Sequence, residues 1–195
     1  MAFLSKSSKN HTRHVVAVGG LTCGLMFSEY LAPLAKKLDE MGYGMVQPLM
    51  TSSHQGWGCS SVEKDAAELL SVVQKLKRSY GCEEFVILGH STGCQDAVMY
   101  ARNHKEAEFA PKLKGVILQG PVSDREYFST FPGMEDKLKL CKSMVEQGKG
   151  KDVAFRMFEF DGAPVSADRW LALTEKYGQG MLFVIFTRVV CWRCQ

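Results

Sequence analysis

Ser91 stands in Gly89-His90-Ser91-Thr92-Gly93, directly after the apolar run Phe85-Val86-Ile87-Leu88. A plausible helix begins at Thr92. A serine between two glycines on a strand-to-helix turn is a nucleophile elbow, which lifts a hydroxyl above the C-terminal edge of a parallel sheet. The flanking positions take glycine because a Cβ there meets the neighbouring strand and helix. A serine hydroxyl is a weak nucleophile until a base takes its proton, so the chemistry to look for is acyl transfer. That chemistry also needs backbone N–H groups aimed at a developing oxyanion. Gly19-Gly20-Leu21-Thr22-Cys23-Gly24 follows the first strand and makes Leu21 and Thr92 the candidate donors through their backbones.

The base is the difficulty. No histidine follows His104 in the sequence, and the usual order in such folds is serine, acid, histidine. A parallel sheet builds its site at the strand C-termini, which leaves His11 and His14 on the wrong edge. His90 lies within the elbow and is expected to point away from Ser91. His104 is thirteen residues along the post-elbow helix, about 20 Å distant at 1.5 Å per residue. Only His54, in the loop after the second strand, falls on the correct edge, and it precedes the serine. Its alternative reading is a solvated loop histidine. Asp124, after the fourth strand, is the candidate acid; its alternative is an exposed loop carboxylate that caps or pairs with Arg125.

The elements around these residues alternate. His14–Val18 reads as a buried strand. Ser28 is positioned to cap a helix reaching Met41, and Met45–Leu49 reads as a second strand with Pro48 near its end. A polar loop spans Thr51–Cys59. Ser60 and Glu63 fit a capping box for a helix to Tyr80, ended by Gly81. Phe85–Leu88 and Gly115–Gln119 are the third and fourth strands, separated by a helix to Asn103. Beyond them Glu135–Gln147 is helical, Asp152–Pro164 irregular, Ser166 caps a last helix near Tyr177, and Met181–Phe186 is a fifth strand. Strand–helix alternation of this kind specifies an α/β fold with a mostly parallel sheet of about five strands and helices on both faces.

The 195 residues are read as a single domain, with residues 1–13 a flexible N-terminus and 179–195 an atypical tail. A net charge of +3 with acids interspersed leaves no basic stripe for nucleic acid. The longest apolar run, Met181–Phe186, is too short to span a bilayer. Seven scattered cysteines suit a reducing compartment, the cytoplasm; the basic, serine-containing start offers a plastid as the alternative. Cys191-Trp192-Arg193-Cys194 lacks the second ligand pair of a zinc site. No cofactor and no metal is expected. The partner expected is a small ester-like ligand. The Met45–Leu49 strand is expected to be an uncovered edge through which chains self-associate.

Val18-Gly19-Gly20-Leu21-Thr22, Gly89-His90-Ser91-Thr92-Gly93-Cys94-Gln95-Asp96 and Gln119-Gly120-Pro121-Val122-Ser123-Asp124-Arg125-Glu126-Tyr127 resemble an α/β-hydrolase family. It contains plant proteins and fungal siderophore esterases of the fusarinine C type. The likeness runs from His14 to Gly178. It implies serine-esterase ancestry, with Ser91 as nucleophile. The family's later acid and its C-terminal histidine have no counterpart here, Cys23 stands where an aspartate is usual, and 179–195 shows no likeness. These departures imply a truncated α/β-hydrolase core, catalytically incomplete. The alternatives are a non-catalytic binding or regulatory isoform, or a truncated product.

Overall fold

The computed structural model describes residues 1–5 and 11–175. A central sheet of five strands has the order β1(Ala2–Leu4), β3(Gly44–Pro48), β2(Arg13–Val18), β4(Glu84–His90), β5(Lys112–Gln119). β3, β2, β4 and β5 run parallel, and β1 lies antiparallel to β3. Within β2, Val15–Val18 is unbroken apolar sequence because helices cover both faces. On one face α2(Val62–Tyr80) and α3(Gly93–His104) bury Val62, Ala66, Leu69, Val73, Leu76 and Tyr100 against Val16, Val46 and Ile87. On the other, α1(Leu31–Glu40) brings Leu31, Leu34 and Leu38 onto Val15, Ala17 and Leu88.

Several expectations shift. α1 begins at Leu31 with Tyr30 as its cap residue, not Ser28. Pro33 explains the start, since in a first turn its missing N–H costs nothing. The cap of α2 is Ser61, whose hydroxyl accepts from the Lys64 N–H at 3.2 Å. Ser60, one residue earlier, instead bonds the Asp65 carboxylate at 3.1 Å. Gly81 closes α2 at φ 64°, a left-handed cap as expected. At the start of the described residues β1 pairs Ala2 with Pro48 and Leu4 with Val46. β3 is therefore covered by β1, and the two outer strands of the sheet among the described residues are β1 and β5.

Asp152–Pro164 is not irregular. β6(Val153–Met157) and β7(Ala163–Ser166) form an antiparallel hairpin. With α4(Asp124–Ser129), α5(Met134–Glu146) and α6(Ala167–Thr174) it builds a second layer around Trp170, Phe128, Met157 and Leu173. Trp57 and Leu21, from segments that follow strand C-termini, pack into the same cluster, so the layer sits over the site edge of the sheet. Ser166 caps α6 through the Arg169 N–H, as expected. Met181–Phe186 lies outside the described residues. No described helix is long and apolar enough to cross a membrane.

Candidate active site

Ser91 occupies the turn between β4 and α3 with φ 54°, in the left-handed region that a non-glycine residue enters only where surroundings enforce it. The enforcement is visible. The Ser91 N–H donates to the Gln119 carbonyl at 3.0 Å, tying the turn to the end of β5. Cys94 N–H donates back to the Ser91 carbonyl at 3.0 Å. A Cβ on Gly89 lands 2.5 Å from the Gly93 carbonyl oxygen, and one on Gly93 lands 2.5 Å from that of Gly19. Both glycines are thus required by backbone approach.

The glycine loop after β2 lies against this turn. A Cβ on Gly20 meets Ser91 Cβ at 2.8 Å and Ser91 Oγ at 3.2 Å. Leu21 and Thr92 line one small polar cleft of about 30 Å³, together with Trp57, Gln95, Asp96 and Arg169. Among the described residues, no backbone hydrogen bond outside the regular elements takes up the Leu21 or Thr92 N–H.

All five histidines are described, and none is hydrogen-bonded to Ser91 among the described residues. His11 Nε2 pairs with Asp39 at 2.7 Å. His14 is fully buried on β2. His90 turns away from the serine, bonding Gln119 and stacking on Phe27 at 5.4 Å between ring centroids. His104 rests beside Tyr100. His54 is exposed, opens a 3-10 turn over His54–Cys59, and lays its ring against Gly24.

Asp124 is not the exposed loop carboxylate expected. It is 1% exposed, accepts from Gln95 Nε2, and burial raises its pKa against that hydrogen bond and the charge of Arg169. It belongs to a network that the sequence did not reveal. Asp96, in the first turn of α3, is held well above the ordinary carboxylate range by burial and by Asp65 and Asp124, with Arg169 opposing. Asp65 is raised by burial too, against bonds from Ser52 and Ser60 and the charge of Arg169. The signal was Cys94-Gln95-Asp96-Ala97, a polar pair on a turn that is buried all round. Burial pushes the Cys94 thiol up to about 11, so it stays protonated near neutrality and supplies no thiolate.

Residues 1–185 match the family described as "Protein of unknown function (DUF1749)". The chain belongs to this family. The DUF1749 match begins before His14 and runs beyond Gly178, so the likeness is wider than the motifs alone indicated. A UPF0613 protein of Schizosaccharomyces pombe is 33% identical over 188 residues, covering 90% of this chain and 58% of the relative. The fusarinine C esterase of Aspergillus fumigatus is 33% identical over 130 residues, 56% of this chain and 36% of its own length. The siderophore hydrolase EstB from Aspergillus fumigatus superposes with a TM-score of 0.65 at 24% identity, over 89% of this chain and 61% of EstB. That likeness shows the α/β-hydrolase fold. This DUF1749 chain thus has esterase relatives and spans between about a third and three fifths of their lengths.

Proposed function

We propose that this DUF1749 chain carries the nucleophile and oxyanion hole of a serine esterase, acting on a small-molecule ester. The observation that carries the reading is Ser91, at φ 54° on the strand-to-helix turn with Gly20 against its hydroxyl. In this reading Ser91 Oγ attacks the ester carbonyl carbon. The carbonyl oxygen becomes an oxyanion facing the Leu21 and Thr92 N–H groups, and the Ser91 proton passes to a base. Collapse expels the alcohol, and water then hydrolyses the acyl-serine. The esterase named among the relatives supports an ester substrate.

Among the described residues no histidine is bonded to Ser91 as a base. His54 lies on Gly24, and the other four histidines are engaged elsewhere or buried in the sheet. Asp124 is committed to Gln95. A general base contributes about 10²–10⁴-fold. The chain alone therefore turns over aryl esters slowly and serves better as an ester-binding, regulatory form. The five described cysteines are free thiols, in keeping with a cytoplasmic setting. The proposal includes self-association through the open edge of β5.

The test is covalent capture. Prolonged exposure of the purified chain to a fluorophosphonate, followed by peptide mass mapping, is expected to place one adduct on Ser91 and none in Ser91→Ala. Aryl-ester turnover is expected to be slow and nearly the same in wild type, Ser91→Ala and His54→Ala. An adduct elsewhere overturns the nucleophile assignment. Robust turnover abolished by both substitutions makes His54 the base.

A further inference from the structure

A second cleft, of about 570 Å³, lies between the start of α2 and the start of α6. That volume falls in the range of small-molecule sites, about 300–1,000 Å³. Lys64, Lys151 and Arg169 line it, and Asp168 is the one carboxylate among its lining residues. No ion pair among the described residues engages Lys64, Lys151 or Arg169. Asp168 is exposed, and its carboxylate rests against Gly150. Two lysines alone would be solvated surface charge, but Arg169 is only 5% exposed. Its Nε donates to the Trp57 carbonyl at 3.0 Å, and its Nη1 is buried with no hydrogen-bond partner among the described residues. A buried donor left unmet is costly, most of all on a charged group, and an oxyanion seated here supplies the acceptor.

Two serines in the lining add donors. Ser61 Oγ accepts from the Lys64 N–H at 3.2 Å, and Ser166 Oγ accepts from the Arg169 N–H at 3.3 Å. Each bond uses a lone pair and leaves the O–H proton for another acceptor. These serines cap α2 and α6, so the positive ends of two helices meet at the cleft. At α6 the contribution is the field rather than free donors. Its Ala167 N–H goes to the Asp152 carbonyl and its Asp168 N–H to the Gly150 carbonyl. Three cations and two hydroxyls against one carboxylate suit a doubly charged oxyanion. A phosphomonoester carries a charge of about −1.5 to −2 near neutral pH and three acceptor oxygens. Arginine and lysine are the side chains that hold such groups, the one as a planar fork and the other as a point charge.

We propose that this cleft binds a small-molecule phosphomonoester, with Lys64, Lys151, Ser61 and Ser166 around the phosphoryl oxygens and the Arg169 guanidinium behind them. The volume favours an organic substituent over a bare ion. The site does not depend on the reading of Ser91 as nucleophile.

The experiment is isothermal titration calorimetry of the full chain with phenyl phosphate, inorganic phosphate and malonate, at one ionic strength so that screening is constant. Phenyl phosphate is expected to bind one to one and more tightly than the other two. Lys64 and Lys151 are exposed, so their substitution leaves the fold intact. Lys64→Gln and Lys151→Gln are each expected to weaken binding about fivefold, and the pair about 25-fold. Lys36→Gln, which removes the same charge from an exposed position on α1, is expected to leave it unchanged. Arg169→Gln, checked for folding by circular dichroism, is expected to abolish saturable binding. Inorganic phosphate binding as tightly as phenyl phosphate overturns the organic ligand in favour of the free ion. Malonate binding as tightly overturns the phosphoryl assignment. No saturable binding of any of the three, an affinity untouched in the lysine pair, or equal weakening in Lys36→Gln overturns the site.

Discussion

At the scale of single residues, the proposed site depends on how closely the glycine loop approaches the serine. A methyl on Gly20 has no room, since Ser91 Cβ and Oγ stand 2.8 and 3.2 Å from where it would sit. Ser91 is a short side chain on a turn already held by backbone contacts, so it cannot yield without leaving its place. Gly20→Ala is expected to slow Ser91 labelling by at least about tenfold, the scale at which sub-ångström misplacement acts. The His90 carbonyl oxygen also stands 3.3 Å away, so circular dichroism is used to confirm that the variant is folded. A rate equal to wild type contradicts the approach of the loop. Ser91 was legible because Gly-x-Ser-x-Gly and the preceding apolar run agree on one geometry. Arg169 was not, because sequence periodicity does not say that a charged residue in a second layer points inward. Asp124 was misread for the same reason: a carboxylate after a strand reads as solvated until its neighbours are known.

Among the elements, α2, α3 and α4 each contribute a carboxyl whose pKa burial raises. Folding therefore favours the protonated form of each. Their contribution to stability is complete below the ordinary value of 3.8 and is lost as pH rises through the higher folded pKa. Thermal unfolding between about pH 4 and about pH 8 is expected to show stability from these groups falling as pH rises, and Asp96→Asn to flatten that fall. An unaltered slope in the variant contradicts the burial of an ionising Asp96. The helices were legible in outline because Val62, Ala66, Leu69, Val73 and Leu76 recur at helical spacing and Gly81 stops them. The capping residue was misplaced by one because Ser60 and Ser61 are adjacent, and side-chain partners decide between them. The β6–β7 hairpin was hidden. Its strands are short, Pro164 lies in one, and their faces pack on aromatic rings rather than alternating with solvent. β1 is three residues long, too short for any period to register.

Over the whole molecule, three apolar clusters divide the work: two sandwich the sheet, and the third roofs its C-terminal edge around Trp170 and Phe128. Strand–helix alternation made the first two legible; the third lies where that alternation weakens. β1 covers β3, and of the two outer strands, three-residue β1 and eight-residue β5, the proposed association uses the longer. Past Lys112 and Lys114, the apolar end Val116–Leu118 presents Ile117 at 49% exposure beside an open row of backbone groups among the described residues. Lysines blunt the other end of the edge. Light scattering on dilute protein is expected to find oligomers, and Ile117→Lys to reduce them. A monodisperse monomer at all concentrations counts against the edge.

Ser91, the proposed nucleophile, has no imidazole bonded to it among the described residues. The most direct test of this is the rate of Ser91 phosphonylation as a function of pH. Without a side-chain base, hydroxide must assist, so the rate is expected to climb about tenfold per pH unit, with no plateau near the ordinary histidine value of about 6.5. Free imidazole is expected to accelerate it. A rate that levels off above about pH 7 and collapses in His54→Ala contradicts the account, because it places a working base beside the serine.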